Sequence, residues 1–172
     1  KQTIQSAQNQ AGGTGVQQTQ DMTSIVSDII VNTNTETGSK MIEELNNSST
    51  DTENDLSLQV ISAISVKDTT KLNTLSENNK EQIDTLTQSA VKNAGSSQES
   101  ADLIAQVVAN ASDDFANQII GEVTKNSIDE NQALSAKVMK SIVETTPDKV
   151  ENLSDENKDK LISQTIEAAK NQ

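Results

Sequence analysis

The sequence predicts an all-α protein: a tandem repeat of short antiparallel helices in an α-solenoid-like arrangement, with two helical bundles in tandem as the alternative. Three observations predict it. The chain is duplicated, its apolar residues keep helical spacing in both copies, and strand signals are missing, with no sustained apolar–polar alternation and no Asn-Gly hairpin turn.

The duplication appears when the chain is slid against itself. At an offset of 78 residues, with no gaps, Thr23–Ala94 and Ala101–Gln172 are identical at 18 of 72 positions. The apolar rows agree better than the identities. Ile25, Val26, Ile29 and Ile30 fall on Leu103, Ile104, Val107 and Val108; Met41, Ile42 and Leu45 fall on Ile119, Ile120 and Val123. Leu56, Val60, Ile61 and Ile64 fall on Leu134, Val138, Met139 and Ile142, and Leu72 and Leu75 on Val150 and Leu153. Biased composition produces scattered Ser and Asn matches, but it does not hold i, i+3, i+4 rows in phase over several segments. A shorter echo, Gln2–Gln10 against Gln164–Gln172, matches at six of nine positions. The expected organisation is therefore Lys1–Met22 as the tail of a preceding repeat plus a linker, repeat 1 over Thr23–Ala94, a linker over Gly95–Ser100, and repeat 2 over Ala101–Gln172. It reads as a piece of a longer tandem array.

In chain order, Ala11–Gly15 reads as a flexible break. Helical pattern starts at Asp21 with Ile25, Ile29 and Ile30 on one face, then breaks over Asn32–Thr37, where Asn34 or Thr35 is the candidate cap. A second helix carries Met41, Ile42 and Leu45, a third Leu56, Val60, Ile61 and Ile64. A short helical turn with Leu72 and Leu75 follows Asp68–Thr70, and Ser76 is read as the cap of a last helix with Ile83, Leu86 and Ala90. The second copy is better punctuated. Ser112 is a candidate N-cap, with Asp113 and Asp114 suited to the positive end of a helix dipole. Ser127 and Glu130 have capping-box spacing ahead of Leu134. Thr146-Pro147 reads as a cap with proline at the first helical position, and Ser154 opens the last helix.

Composition narrows the function classes. The 172-residue chain has a net charge of −13, no arginine and no cysteine, and its one aromatic residue is Phe115, expected in the core beside Ile119. Phosphate recognition relies on basic patches, so no nucleic-acid partner is expected, and no apolar run is long enough for membrane insertion. Without Cys there is neither disulfide nor thiol chemistry. With no His and no Tyr either, only carboxylates, hydroxyls and lysines remain, and neighbouring acids such as Glu43–Glu44 or Asp113–Asp114 do not converge on a helix. No catalytic, cofactor-binding or metal-ligating residue is assigned, no cofactor is expected, and the chain reads as a non-enzyme. Asp51–Asp55 and Asp129–Asn131 are rich in the oxygen ligands that calcium takes, but an EF-hand counted from Asp51 needs Gly and Glu where Leu56 and Ser62 stand.

The expected function is a structural helical-repeat module, a spacer, stalk or filament building block of a longer protein, extracellular or at the cell surface rather than cytoplasmic. Its expected partners are neighbouring repeats or self-assembly. The alternative is an α-solenoid scaffold holding a protein or peptide partner, which requires polar residues on one face to match between copies. Matching polar pairs exist: Glu44/Glu122, Asp51/Asp129, Lys71/Lys149, Asn79/Asn157, Lys80/Lys158 and Lys92/Lys170.

Overall fold

Short polar side chains fix where the helices start. Asn34 Oδ1 accepts the Thr37 amide at 2.9 Å, and 78 residues later Ser112 Oγ accepts the Phe115 amide at 3.4 Å. Asp68 Oδ1 takes the Lys71 amide at 2.8 Å, Ser97 Oγ the Ser100 amide at 3.0 Å, and Ser154 Oγ the Asn157 amide at 3.3 Å. Each satisfies one of the amides that a helix leaves orphaned at its N-terminus. The computed structural model describes residues 16–48, 56–126 and 132–170, and among these the chain is all-α, with ten helices and no strand.

The chain divides into two units, Lys1–Asn93 and Ala94–Gln172. The first holds α1 (Val16–Asn32), α2 (Thr35–Ser48), α3 (Leu56–Lys67), α4 (Thr69–Asn78) and α5 (Lys80–Asn93). The second holds α6 (Gln98–Asn110), α7 (Asp113–Asn126), α8 (Gln132–Thr145), α9 (Pro147–Glu151) and α10 (Asp155–Lys170). Two helix starts repeat at the sequence offset to the residue: Thr35 + 78 is Asp113, and Thr69 + 78 is Pro147.

In the first unit α3 packs on α1 and α5, while α2 closes a ring by packing on the same two helices; α4 lies against α2, α3 and α5. The second unit repeats the ring, with α8 and α7 each packed on α6 and α10, and α9 against α8. In each unit the helices pack on one another and bury apolar rows between them.

The two cores are built from equivalent residues. Val26/Ile104, Ile30/Val108, Met41/Ile119, Ile42/Ile120, Leu45/Val123, Val60/Val138, Ile64/Ile142, Leu75/Leu153, Ile83/Leu161 and Ala90/Ala168 are buried in both copies. A fully buried side chain of the larger kinds contributes about 1.5–3 kcal/mol, so these rows are the main source of stability. Phe115 is among the largest fully buried side chains, as its spacing to Ile119 requires. Helix α3 buries most of its circumference, through Ser57, Leu58, Val60, Ile61, Ser62, Ile64 and Ser65, and leaves open only the side of Gln59, Ala63 and Val66. Serines let its neighbours approach closely, and Ser65 Oγ satisfies itself by donating to the Ser62 carbonyl at 2.7 Å.

Several boundaries differ from the sequence reading. Helix α1 starts at Val16, inside the stretch read as tail and linker, because Met22 adds a buried turn to the Val26–Ile30 row. Helix α6 starts at Gln98, inside the expected 95–100 linker, because Ser97 caps it. Ser76 caps nothing. It lies inside α4, which must run through Leu75 to bury it, and Asn79 is the junction to α5, receiving the Ile83 amide on its carbonyl at 3.0 Å. Thr146 stands before Pro147 as expected but makes no side-chain cap bond. The Lys149 amide that its hydroxyl would serve goes instead to the Thr146 carbonyl at 3.0 Å. Gln2–Gln10, Ala11–Gly15, the Ser127–Glu130 box and both calcium candidates lie outside the described residues.

Candidate functional site

No catalytic, cofactor or metal residue stands out in the sequence, so the candidate sites are the groups that the fold brings together. The matched polar pairs come first. Lys71 Nζ donates to the Thr33 carbonyl at 2.5 Å, and Lys149 Nζ to the Ala111 carbonyl at 2.8 Å. These are the same contact, since 33 + 78 is 111: a lysine from the short fourth helix reaches the carbonyl end of the first helix. That end carries orphan carbonyls and the negative pole of the helix dipole, so a cation there is favoured. Lys149 also pairs with Asp113 at 3.1 Å.

Asn157 joins two more elements. Its Nδ2 donates to the Asn117 carbonyl at 2.8 Å and to Asn117 Oδ1 at 3.1 Å, while Oδ1 of Asn117 takes the Ser154 amide at 2.6 Å. The first copy has Asn79 and Ser39 at these places. The Ser39 hydroxyl is used on the Thr35 carbonyl, and Asn79 Nδ2 is buried with no partner among the described residues. Glu122 binds Lys125 at 2.6 Å, and Lys158 binds Asp155 at 3.2 Å. Lys92 and Lys170 sit in the last turns of α5 and α10, complementing the dipole. Asp51/Asp129 lies outside the described residues.

A groove into which a few polar side chains converge lies between α6 and α8. About 280 Å³ in volume, it is lined by Asp102, Ala105, Gln106, Ala109, Ser141 and Thr145. Asp102 Oδ1 accepts from Ser141 Oγ at 2.7 Å and from Gln98 Nε2 at 2.8 Å. These two bonds, Ser141's above all, hold the Asp102 carboxyl below its ordinary range. The Ser141–Asp102 bond ties α8 to α6 as a staple between the two helices. The first copy has Ser24 and Ala63 at the equivalent places of Asp102 and Ser141, and its α1–α3 staple is different: Lys67 Nζ to Ser27 Oγ and Asp28 Oδ1, both at 2.8 Å.

The acidic neighbours do not converge. Glu43 is exposed while Glu44 is half-buried, and Asp113 is engaged by Lys149. Among the described residues no group of three or more acidic side chains is placed to hold a metal ion, and no helix is long and apolar enough to cross a membrane. No family model, curated protein or solved structure matches the chain. What fold and geometry define is a cysteine-free, all-α protein of two equivalent helical units.

Proposed function

We propose that this chain is a structural helical-repeat module, a spacer or filament building block of a longer protein working outside the cell or at its surface, and that it does no chemistry of its own. One observation carries the reading: most of what the two copies share is buried or engaged within the fold. The shared residues are the buried apolar pairs, the Lys71/Lys149 contact on a helix end and the Asn34/Ser112 cap position. Most exposed positions differ, Asn32/Asn110 and Lys92/Lys170 excepted, and the Asp102–Ser141 groove has no counterpart in the first copy. A repeated scaffold that reads one partner needs the reverse, equivalent polar side chains facing solvent. Selection on the fold with drift on the surface is the pattern of a part whose task is to be a folded length of chain.

The reading is tested with concatemers of two, four and six 78-residue units, their lengths measured by small-angle X-ray scattering or electron microscopy. A constant length increment per unit supports a spacer. Particles whose maximum dimension stops growing with unit number rule it out.

A further inference from the structure

The last helix carries a row that its own core does not use. Asp155, Asp159, Ile162, Ile166 and Ala169 follow one another at steps of four, three, four and three residues, and all five are exposed. Ile162 is 44% and Ile166 51% accessible. This is the spacing of a coiled-coil seam, and it lies on a different side of α10 from the buried Leu161 and Ala168. The equivalent positions of the first copy are Glu77 in α4 and Glu81, Asp84, Gln88 and Val91 in α5, so the fold itself does not call for isoleucine at the places of Ile162 and Ile166.

We propose that α10 pairs antiparallel with α10 of a second copy of this chain, Ile162 of each copy packing on Ile166 of the other. Charge selects the occupant and its direction. A parallel pair would set Asp155 and Asp159 against their own counterparts inside the seam, which is repulsive and desolvating. The antiparallel pair places Asp159 opposite Ala169, with Lys170 of the other copy alongside. Lys158, Lys160 and Lys170 are each bridged within the helix, to Asp155 at 3.2 Å, Glu156 at 2.6 Å and Glu167 at 3.5 Å, while Asp159 has no ion pair among the described residues. The longest of these bridges is the one at Lys170, the lysine that would turn to Asp159. The acidic first turn of one helix also meets the basic last turn of the other, and the two dipoles oppose. Two isoleucine layers make a small interface, so the dimer is weak, with a dissociation constant on the order of 0.1 mM.

The test is sedimentation of the full chain from about 10 µM to about 1 mM, bracketing that constant. The expected result is a monomer–dimer equilibrium that Ile166→Glu weakens at least about ten-fold, with an unchanged helical circular dichroism spectrum. Direction is read from single-cysteine variants, since the chain has no cysteine of its own. When Asp159→Cys and Ala169→Cys are mixed and oxidised, the antiparallel pair gives the 159–169 disulfide. A chain that stays monomeric, a dimer indifferent to Ile166→Glu, or a dominant 159–159 product overturns the proposal.

Discussion

Gly38 is the sharpest place to test whether the two copies share one architecture. It is buried in the first turn of α2, and its amide donates to the Asn34 carbonyl at 3.0 Å. Its counterpart in α7 is Ala116, which is 2% exposed. A Cβ added at Gly38 meets Leu75 Cδ2 at 3.5 Å, the Ile30 carbonyl oxygen at 3.6 Å and Lys71 Cε at 3.6 Å, all ordinary contact distances. Its φ is not positive, so no backbone strain opposes a side chain. Gly38→Ala therefore gains helix propensity and loses unfolded-state freedom without a clash, worth about 0.5–1 kcal/mol. In a unit of this size that is a rise in midpoint of roughly 2–8 °C. The converse, Ala116→Gly, gives up that gain and a buried methyl, and should cost about 1–2 kcal/mol. Both are read by urea and thermal unfolding followed by circular dichroism. Destabilisation by Gly38→Ala of more than about 1 kcal/mol would mean that the site cannot accept what its counterpart holds, and the structural equivalence would fall.

Ser39→Asn supplies the partner that Asn117 gives Asn157, and should stabilise the first unit by about 1 kcal/mol through the orphaned Asn79 Nδ2; a double-mutant cycle with Asn79→Ala should abolish the gain. Val138→Asp puts an unpaired charge at a fully buried position, and should cost at least about 4 kcal/mol and melt the second unit, whereas Val143→Asp on the same helix, already half-exposed, should change stability by less than about 0.5 kcal/mol. Equal melting of the two variants would show that the α8 row is no core. The lowered pKa of Asp102 sets a sign for pH. Its bonds to Ser141 and Gln98 stabilise the fold above the ordinary carboxyl value of 3.8, and that contribution is lost as pH falls through the lowered folded value. Wild type should therefore exceed Asp102→Asn in thermal midpoint at pH 7, and the gap should close as pH falls below 3.8 and through the lowered folded value. A gap independent of pH would place the effect elsewhere.

Much of the fold can be read from the chain because the apolar burial that dominates its stability is periodic. Rows such as Val26–Ile30 and Met41–Ile42–Leu45 stand out against a polar background, and their repetition in the second copy doubles the signal. Caps are readable where one local side chain decides, as at Asn34, Ser112 and Ser154. They are not where the backbone has a competing option, as at Thr146, or where tertiary burial of Leu75 carries α4 past Ser76. Helix α3 is half legible: Val60, Ile61 and Ile64 show the row, but Leu58 and three buried serines lie off it, because a helix packed on several neighbours loses the polar face that marks amphipathicity. The contacts that give the site its shape are not readable. Lys71 and Lys149 reach carbonyls about 38 residues back in the chain, and nothing in the composition around a lysine says which helix end its long stem will find. The Asp102–Ser141 staple is of the same kind, 39 residues apart and unmatched in the other copy.

Native-state amide exchange of the whole chain tests most directly the claim that two diverged halves shield one set of apolar seams. The slowest amides should fall in matching pairs, at Val60 with Val138, Ile64 with Ile142 and Ile42 with Ile120, in both copies at the same offset of 78. Protection that peaks at unrelated positions in the two halves, or that leaves either row exchanging as fast as the helix ends, would contradict it.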